Sequence, residues 1–214
     1  MAGCSDLRPT FLPFELNIFM SIEIEAKMRL TDRNAIVARL ESVGATFVAD
    51  LCETNSYFDS ADGGLKSTDQ GLRTRVEVAS DGSITTTITH KGPRAHGRLK
   101  SREENELQVN NARDAAKLLG ALGYQHVLTF EKRRTRYLLD GCRVELDELP
   151  VLGWYIEIEG REDKKVIAVR QKLGLDDQPL IKSSYIAMLC THLQESHSEA
   201  TVVKFDNGGS VLKG

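Results

Sequence analysis

The chain has 214 residues, 41% of them hydrophobic and 28% charged, which is typical of a globular protein with one large or two small domains. Lysine and arginine number 28 and aspartate and glutamate 31, so the formal net charge is −3. This balance argues against a nucleic-acid-binding protein that works by bulk positive charge. No apolar run reaches the roughly 18 residues of a membrane-spanning helix. We therefore expect neither nucleic-acid nor membrane partners.

The cysteines are scattered, without a Cys-x-x-Cys pair or a histidine at ligand spacing: Cys4, Cys52, Cys142 and Cys190. This pattern favours reduced thiols in a cytoplasmic protein over a disulfide framework or a zinc site. The N-terminal segment is not typical of a signal peptide, because Pro13 and Glu15 interrupt its apolar stretch.

Regular patterning begins just after Met20, which predicts three regions along the chain. Residues 1–20 are expected to be an N-terminal extension, with Met20 as an alternative start. Residues 21–194 are expected to form one domain. Residues 195–214 lack any hydrophobic period and contain Asn-Gly-Gly-Ser, so we expect a disordered tail there.

Within the domain, hydrophobic periodicity predicts a strand-rich fold with a few helices. Apolar and polar residues alternate, as expected for strands, over 22–29, 72–77, 84–91, 104–109, 142–147 and 155–159. Apolar residues recur at helical spacing over 31–43, 112–122, 163–173 and 184–193. Glycine after the first three helices and Thr31 and Ser183 before the first and last are typical helix boundaries.

The polar faces of the predicted strands carry charge at alternate positions. The sets are Glu23-x-Glu25-x-Lys27, Arg73-x-Arg75, Arg102-x-Glu104-x-Glu106, Lys132-x-Arg134 and Glu157-x-Glu159. Because side chains alternate between the two faces of a strand, each set points one way. If the strands close into a barrel with these faces inward, the buried charge requires a polyanion bound together with a metal ion. If the sheet stays open, the same residues form ordinary solvent-exposed salt bridges.

The first of these sets, Glu23-Ile24-Glu25-Ala26-Lys27, resembles the E-x-E-x-K signature of the CYTH superfamily, named for class IV adenylyl cyclases and thiamine triphosphatases. The resemblance extends over about residues 21–193, and it is most similar to the cyclase branch. Its further motifs follow in the family's order: Tyr57-Phe58-Asp59, Leu72-Arg73-Thr74-Arg75, Lys91-Gly92-Pro93, Arg102-x-Glu104-x-Glu106, Lys132-Arg133-Arg134, Asp147, Leu152 to Glu159, and Ser184-Tyr185. It implies an α+β fold, an antiparallel eight-stranded closed tunnel barrel with helices packed outside.

The resemblance also implies roles for individual residues. Metal ligands for Mg²⁺ or Mn²⁺ would be Glu23, Glu25, Glu157 and Glu159. Residues gripping the triphosphate would be Arg73, Arg75, Lys91, Arg102, Lys132, Arg134 and Lys182. Catalytic residues would be Lys27, Arg134 and Asp147, with Glu104 and Glu106 in support. Asn55 departs from the family, whose members often carry Asp two residues before the tyrosine, and this puts the substrate in doubt.

The expected function is a class IV adenylyl cyclase-like enzyme that converts ATP to cyclic AMP and pyrophosphate. The alternative is a triphosphatase that hydrolyses inorganic triphosphate, thiamine triphosphate or another organic triphosphate. A third hypothesis is a non-catalytic module that binds polyphosphate or a nucleotide. The expected partner is a small-molecule triphosphate, and a homodimer is left open.

Overall fold

The computed structural model describes residues 19–95, 97, 99–206 and 209–213. Its strands are β1 (Phe19–Arg29), β2 (Thr46–Ser60), β3 (Gly71–Ala79), β4 (Ile84–Lys91), β5 (Lys100–Val109), β6 (Tyr124–Leu139), β7 (Cys142–Leu149), β8 (Gly153–Gly160), β9 (Val202–Asp206) and β10 (Gly209–Lys213). Its helices are α1 (Arg33–Ser42), α2 (Gly64–Ser67), α3 (Ala112–Ala121), α4 (Asp163–Lys172) and α5 (Tyr185–Glu195). None of these helices is long and apolar enough to span a membrane.

Eight antiparallel strands close on themselves into a barrel. Their order is β6-β2-β3-β4-β5-β1-β8-β7, and β7 pairs with β6 again to complete the circle. Closure leaves no free edge among these strands, so their backbone groups are satisfied within the barrel. The predicted fold, a closed eight-stranded barrel with helices outside it, is confirmed.

Alternation along the strands separates the apolar outside of the barrel from its charged inside. On β1, Ile24 and Met28 face outward into a core that includes Leu40 of α1 and Val166 of α4. Lys27, between them in sequence, faces the barrel interior with only 2% of its surface exposed. The hydrophobic core therefore lies between barrel and helices, and the interior is left for polar groups.

One end of the barrel interior is apolar instead, and we call this cluster the floor. Tyr57, Leu128, Phe130 and Tyr155 belong to it, and helix α5 packs against them. The C-terminal segment contributes four more residues to the floor: Tyr185, Leu189 and Leu193 of α5, and Val203 of β9. The β9 strand pairs in parallel with β6 at Thr129 and Phe130, where β7 does not reach.

The predicted disordered tail is wrong over its described part. Residues 202–206 form β9, and Val203 is fully buried. The apolar alternation of β9 covers only two or three residues, which is too short to recognise in the sequence. The strand forms because β6 has an unpaired segment at Thr129 and Phe130 to which β9 can bind. Strand β1 begins at Phe19, two residues before the predicted domain boundary. The predicted extension otherwise lies outside the described residues, as do residues 207, 208 and 214 of the tail.

Two predicted helix caps move by one residue. Asp32, not Thr31, caps α1 by accepting a hydrogen bond from the Ala35 backbone N–H. Ser184, not Ser183, caps α5 and accepts from the Ala187 backbone N–H. In each pair both residues are good caps, and the register of the first turn decides between them.

Candidate functional site

The barrel encloses a central cavity of about 800 Å³. Its deep end lies at Ser184 and Tyr185, above the floor. Its other end, which we call the mouth, lies at Gly141, Arg161, Glu162 and Lys165, at the β6–β7 turn and the start of α4. The wall between them is formed by the inward faces of the barrel strands.

Thirteen of the fifteen predicted site residues line this cavity. They are Glu23, Glu25, Lys27, Arg73, Arg75, Lys91, Arg102, Glu104, Glu106, Lys132, Arg134, Glu157 and Glu159. Asp147 lies behind the wall with no exposed surface. The Lys182 side chain is exposed and does not line the cavity; its backbone carbonyl accepts a hydrogen bond from Arg94. The assigned roles of these residues stay predictions.

The strand register places opposite charges directly across from each other. Lys27 on β1 is paired with Glu157 on β8, and their side chains lie 3.1 Å apart. Lys100 on β5 is paired with Glu25 on β1 in the same way, at 2.6 Å. Lys91 likewise pairs with Glu104. Opposite charges that face each other on neighbouring strands stabilise a sheet. In each of these three pairs, the interaction holds the side chains of the lysine and the glutamate against the wall.

Arg134 is the most densely paired cation of the wall. Asp147 accepts two hydrogen bonds from its guanidinium, at 2.6 and 2.7 Å, and Glu157 accepts a third at 2.7 Å. Glu145 also forms an ion pair with it. Asp147 therefore acts on the cavity through Arg134, since a bidentate carboxylate fixes the plane of the guanidinium.

Glu53, which the sequence analysis did not single out, has a similar position on β2. It is 1% exposed and lies 3.0 Å from Lys132, 3.3 Å from Arg75 and 3.5 Å from Arg134. Burial by itself would raise the pKa of Glu53, but these cations outweigh it and hold that pKa well below its usual value. Asn55 completes the group, because it accepts from Arg75 at 2.9 Å and donates to Glu53 at 3.3 Å.

Two arginines of the wall have no carboxylate within ion-pair distance among the described residues. Arg73 is 5% exposed and donates to the Thr89 hydroxyl at 3.2 Å, while its Nε is buried without a partner. Arg102 likewise has a buried Nε with no partner in the described residues. A buried guanidinium without an acceptor is costly, so both side chains are ready to bind an anion in the cavity.

Three carboxylates lie close enough together to hold a metal ion. Oxygens of Glu145, Glu157 and Glu159 are all within 4.8 Å of one another. Burial, together with the neighbouring Glu145 and Glu23, raises the pKa of Glu159 to about 8. A divalent cation would relieve this repulsion, and an all-carboxylate donor set suits hard cations. Two of the four predicted ligands belong to this cluster.

The other two predicted ligands, Glu23 and Glu25, lie outside this cluster. Glu23 pairs with Arg143 at 2.8 Å, and Glu25 pairs with Lys27 at 3.1 Å and Lys100 at 2.6 Å. Glu145 takes their place in the cluster. It was within reach of the sequence analysis, because Arg143, Glu145 and Asp147 alternate on one face of the strand predicted over 142–147.

Other lining residues were missed for different reasons. Glu77 and Arg136 extend sets already recognised on β3 and β6, so alternation alone would have found them. Lys100 precedes the predicted start of its strand, and the mouth residues belong to no alternating set. Lys100 lines the cavity because of the pairing between β5 and β1, and the mouth residues do so because of where α4 begins.

The described wall carries an excess of positive charge. Among the lining residues are twelve lysines and arginines and nine glutamates, a surplus of three cations. Glu53 and Asp147, buried just behind the lining, also pair with its cations and reduce the surplus to one. A cavity with a slight surplus of cations favours an anionic ligand, and bound divalent cations would favour one of higher charge.

Comparison with known proteins gives a family and relatives. Residues 21–185 match the CYTH domain. A provisionally named adenylate cyclase of Methanocaldococcus jannaschii is 27% identical over 176 residues, which is 78% of this chain and 98% of that protein. The adenylate cyclase CyaB of Aeromonas hydrophila is 29% identical over 187 residues, which is 83% of this chain and 93% of CyaB.

Solved structures share the barrel. A Pyrococcus horikoshii protein, PH1819, is 26% identical with a TM-score of 0.69, and the match covers 79% of this chain and 99% of that one. A Hippeastrum protein is 19% identical with a TM-score of 0.60, covering 79% of this chain and 96% of that one. It is provisionally named an adenylyl cyclase and described as having a dominant triphosphatase activity.

Proposed function

This chain belongs to the CYTH family, and we propose that it is a metal-dependent enzyme that converts ATP to cyclic AMP and pyrophosphate. One observation carries the choice of a triphosphate. Two arginines of the cavity wall, Arg73 and Arg102, have no carboxylate partner in the described structure. Phosphate oxygens are the ligands that a guanidinium fork binds best.

The chain's own residues would bind and orient the substrate. Arg73 and Arg102 present guanidinium groups that have no carboxylate partner in the described residues, and Lys91 adds a third cation beside Arg73. Arg134 is held rigid by Asp147, so it can stabilise negative charge on the departing pyrophosphate without reorganising. This arrangement catalyses chiefly by positioning and by charge stabilisation.

Glu145, Glu157 and Glu159 would hold Mg²⁺ or Mn²⁺. When bound, such an ion would polarise a phosphate and lower the pKa of the ribose 3′-hydroxyl. The cluster fits the ion because its donors are all carboxylate oxygens and because the pKa of Glu159 is raised by burial and by Glu145 even though Arg143 lies 2.6 Å from it.

Two relatives support the cyclase assignment: one is named an adenylate cyclase and the other provisionally so, and this chain matches 93% and 98% of their lengths. A triphosphatase is the second candidate, and a feature of the cavity favours it. The aromatic residues of the described lining are Tyr57 and Tyr185, and Lys27 covers the ring of Tyr185 at 4.1 Å. The wall thus offers little apolar surface for adenine. The Hippeastrum protein, which has the same barrel, is described as mainly a triphosphatase.

One series of incubations tests the proposal. The full-length protein is given ATP, inorganic triphosphate or thiamine triphosphate with Mg²⁺ or Mn²⁺, and cyclic AMP, pyrophosphate and orthophosphate are resolved. Cyclic AMP and pyrophosphate in equal amounts from ATP support the cyclase. Orthophosphate without cyclic AMP supports the triphosphatase. If no product forms but triphosphate raises the melting temperature, the protein is a binding module.

A further inference from the structure

We propose that Thr89 is a positioning residue of the site: its hydroxyl holds the Arg73 guanidinium in place for the ligand, and Glu106 acts on Arg73 only through that hydroxyl. This inference rests on the proposed function, because it takes a triphosphate as the ligand of Arg73. The role falls to an uncharged side chain, which neither the pattern of alternating charges nor the proposed mechanism had used.

The three residues form one row across three neighbouring strands. The strand register places Arg73 of β3 directly opposite Thr89 of β4, and Thr89 directly opposite Glu106 of β5. Adjacent strands lie about 4.8 Å apart, so two strand spacings separate Glu106 from Arg73. The Thr89 hydroxyl bridges them, at 3.2 Å from Arg73 Nη2 and 2.9 Å from Glu106 Oε2. A neutral side chain therefore links this cation to a carboxylate that it does not contact.

The chemistry of the three groups fixes the direction of both hydrogen bonds. A guanidinium can only donate, and an ionised carboxylate can only accept. The single hydroxyl proton of Thr89 therefore points to Glu106, which leaves an oxygen lone pair for Arg73. Thr89 has no exposed surface, so bulk water does not compete for either bond. Glu106 thus orients the hydroxyl, and the hydroxyl holds one nitrogen of the guanidinium.

The neighbouring row on the same strands shows the alternative arrangement. Lys91 of β4 lies directly opposite Glu104 of β5, and the two form an ion pair with no residue between them. An anion that binds Lys91 must compete with that carboxylate. A hydroxyl carries no net charge, so Thr89 fixes Arg73 without offsetting its positive charge as a carboxylate in contact would. Arg73 is therefore both anchored and available to an anion.

The other donors of the Arg73 guanidinium are left for a ligand. Arg73 is 5% exposed, and its Nε has no hydrogen-bond partner in the described residues. Arginine has a long side chain that loses much rotamer freedom when it is ordered. Anchoring by Thr89 removes part of that freedom before a ligand arrives, so less entropy is lost on binding. We expect this preorganisation to appear as affinity for the triphosphate.

Variants of Thr89 in the full-length protein test this role. Thr89→Val keeps the shape and neutrality of the side chain but removes the hydroxyl, whereas Thr89→Ser keeps the hydroxyl. The probe is a methylene-bridged triphosphate analogue, which cannot be hydrolysed, titrated with Mg²⁺ in a calorimeter. Thr89→Val should raise its dissociation constant at least about tenfold, the scale of a lost hydrogen bond to a charged group, and Thr89→Ser should stay within about twofold of the wild type.

The matched control is Thr87→Val, the same change two residues earlier on β4. Thr87 lies opposite Arg75, whose guanidinium bonds Asn55 instead. This variant should bind the analogue within about twofold of the wild-type affinity. An equal loss in Thr87→Val and Thr89→Val would overturn the inference, because the effect would then follow from any loss of a hydroxyl on this strand.

A double-mutant comparison separates positioning from a general structural effect. In a protein that already carries Arg73→Ala, Thr89→Val should change the dissociation constant by less than about twofold, because the residue that Thr89 positions is gone. The same weakening in both backgrounds would overturn the inference, since the loss would not pass through Arg73. Should Thr89→Val fail to fold, Thr89→Ala takes its place in the same comparison.

The wild-type titration keeps this inference separate from the proposed function. If the wild type binds the analogue and Thr89→Val binds it equally well, the positioning role is rejected and the proposed function stands. If the wild type binds neither the analogue nor ATP, the proposed function is rejected, and the role of Thr89 with it.

Discussion

At the scale of single residues, Arg73 and Arg75 show how neighbours on one strand face can have different roles. Both line the cavity from β3, but Arg75 is held by Glu53, Asn55 and Glu77. Arg73 has only the Thr89 hydroxyl, which in turn donates to Glu106 at 2.9 Å. Arg75 therefore contributes to the internal charge network, whereas Arg73 is free to bind a ligand.

Arg73→Ala should weaken binding of inorganic triphosphate without lowering the free energy of unfolding. A hydrogen bond to a charged group contributes about 1.5–3 kcal/mol, so the dissociation constant should rise roughly 10- to 150-fold. Calorimetric titration and urea unfolding measure the two effects. Arg113→Ala, an exposed arginine on α3, is the control. A variant that binds triphosphate as the wild type does would remove Arg73 from the site.

Glu159→Gln should abolish most of the metal dependence and leave the metal-free fold at least as stable. The change removes one carboxylate from a repulsive group with Glu145 and Glu23, so stability without metal should not fall. Turnover should drop at least about a hundredfold, and Mn²⁺ should no longer raise the melting temperature. Glu148→Gln, on the outer face of β7, is the matched control. A metal-free melting temperature well below that of the wild type would point to a structural ion pair instead.

Glu53→Gln should destabilise the protein at neutral pH by about 3–5 kcal/mol, because it leaves Lys132, Arg75 and Arg134 partly uncompensated. The pKa of Glu53 is lowered in the folded state, so its stabilisation is fully present above its unfolded pKa of about 4.3. It is lost as the pH falls toward the folded pKa. The difference between wild type and variant should therefore narrow below about pH 4.

Urea unfolding at several pH values measures this difference, with exposed Glu195→Gln as the control. A gap that stays constant down to pH 3 would mean that the Glu53 carboxylate is not the stabilising group.

At the scale of elements, β6 shows why the longest strands were hard to recognise. Its inward face changes from Leu128 and Phe130 at the floor to Lys132, Arg134 and Arg136 along the cavity. No single apolar–polar alternation spans such a strand, although its backbone is continuous over 16 residues. The inward face of β6 changes from apolar to charged because α5 packs against it at the floor, whereas farther along the strand it lines the cavity.

Strand β9 should contribute measurably to stability. Val203→Ala removes two methyl groups from a fully buried position of the floor, and we expect a loss of roughly 2 kcal/mol in the free energy of unfolding. Val127→Ala, on a residue that is 41% exposed, should cost less than about 0.5 kcal/mol. Urea unfolding compares the two. Equal, small losses would show that the C-terminal strand does not pack on the barrel.

At the scale of the whole molecule, the barrel begins at Phe19, and each barrel strand has two partners. Deletion of residues 1–19, starting the chain at Met20, should therefore leave the melting temperature and turnover nearly unchanged. The deletion removes a single described residue, at the outer end of the β1–β5 pairing. Loss of folding or of most activity would show that the N-terminal segment belongs to the domain.

The sequence by itself determined the barrel class and most of the site, because alternation and motif order are local properties. Twelve of the thirteen predicted cavity residues belong to sets of charges two positions apart, which strand geometry places on one face, and Lys91 was predicted from the Lys-Gly-Pro motif. Local pattern also predicted four of the five described helices, with two caps misplaced by one residue, but not the four-residue α2.

Only the tertiary structure decided which charges meet. Lys27 and Glu157 are 130 residues apart, and their contact depends on the register between β1 and β8. The register between β7 and β8 places Glu145 directly beside Glu157 in the acidic cluster, and the register between β3 and β4 places Arg73 opposite Thr89 rather than a carboxylate. The floor is likewise a tertiary feature, because residues from β2, β6, β8, α5 and β9 form it together. Pairing energies depend on distances through space, and a closed barrel sets those distances only when all its strands are in place.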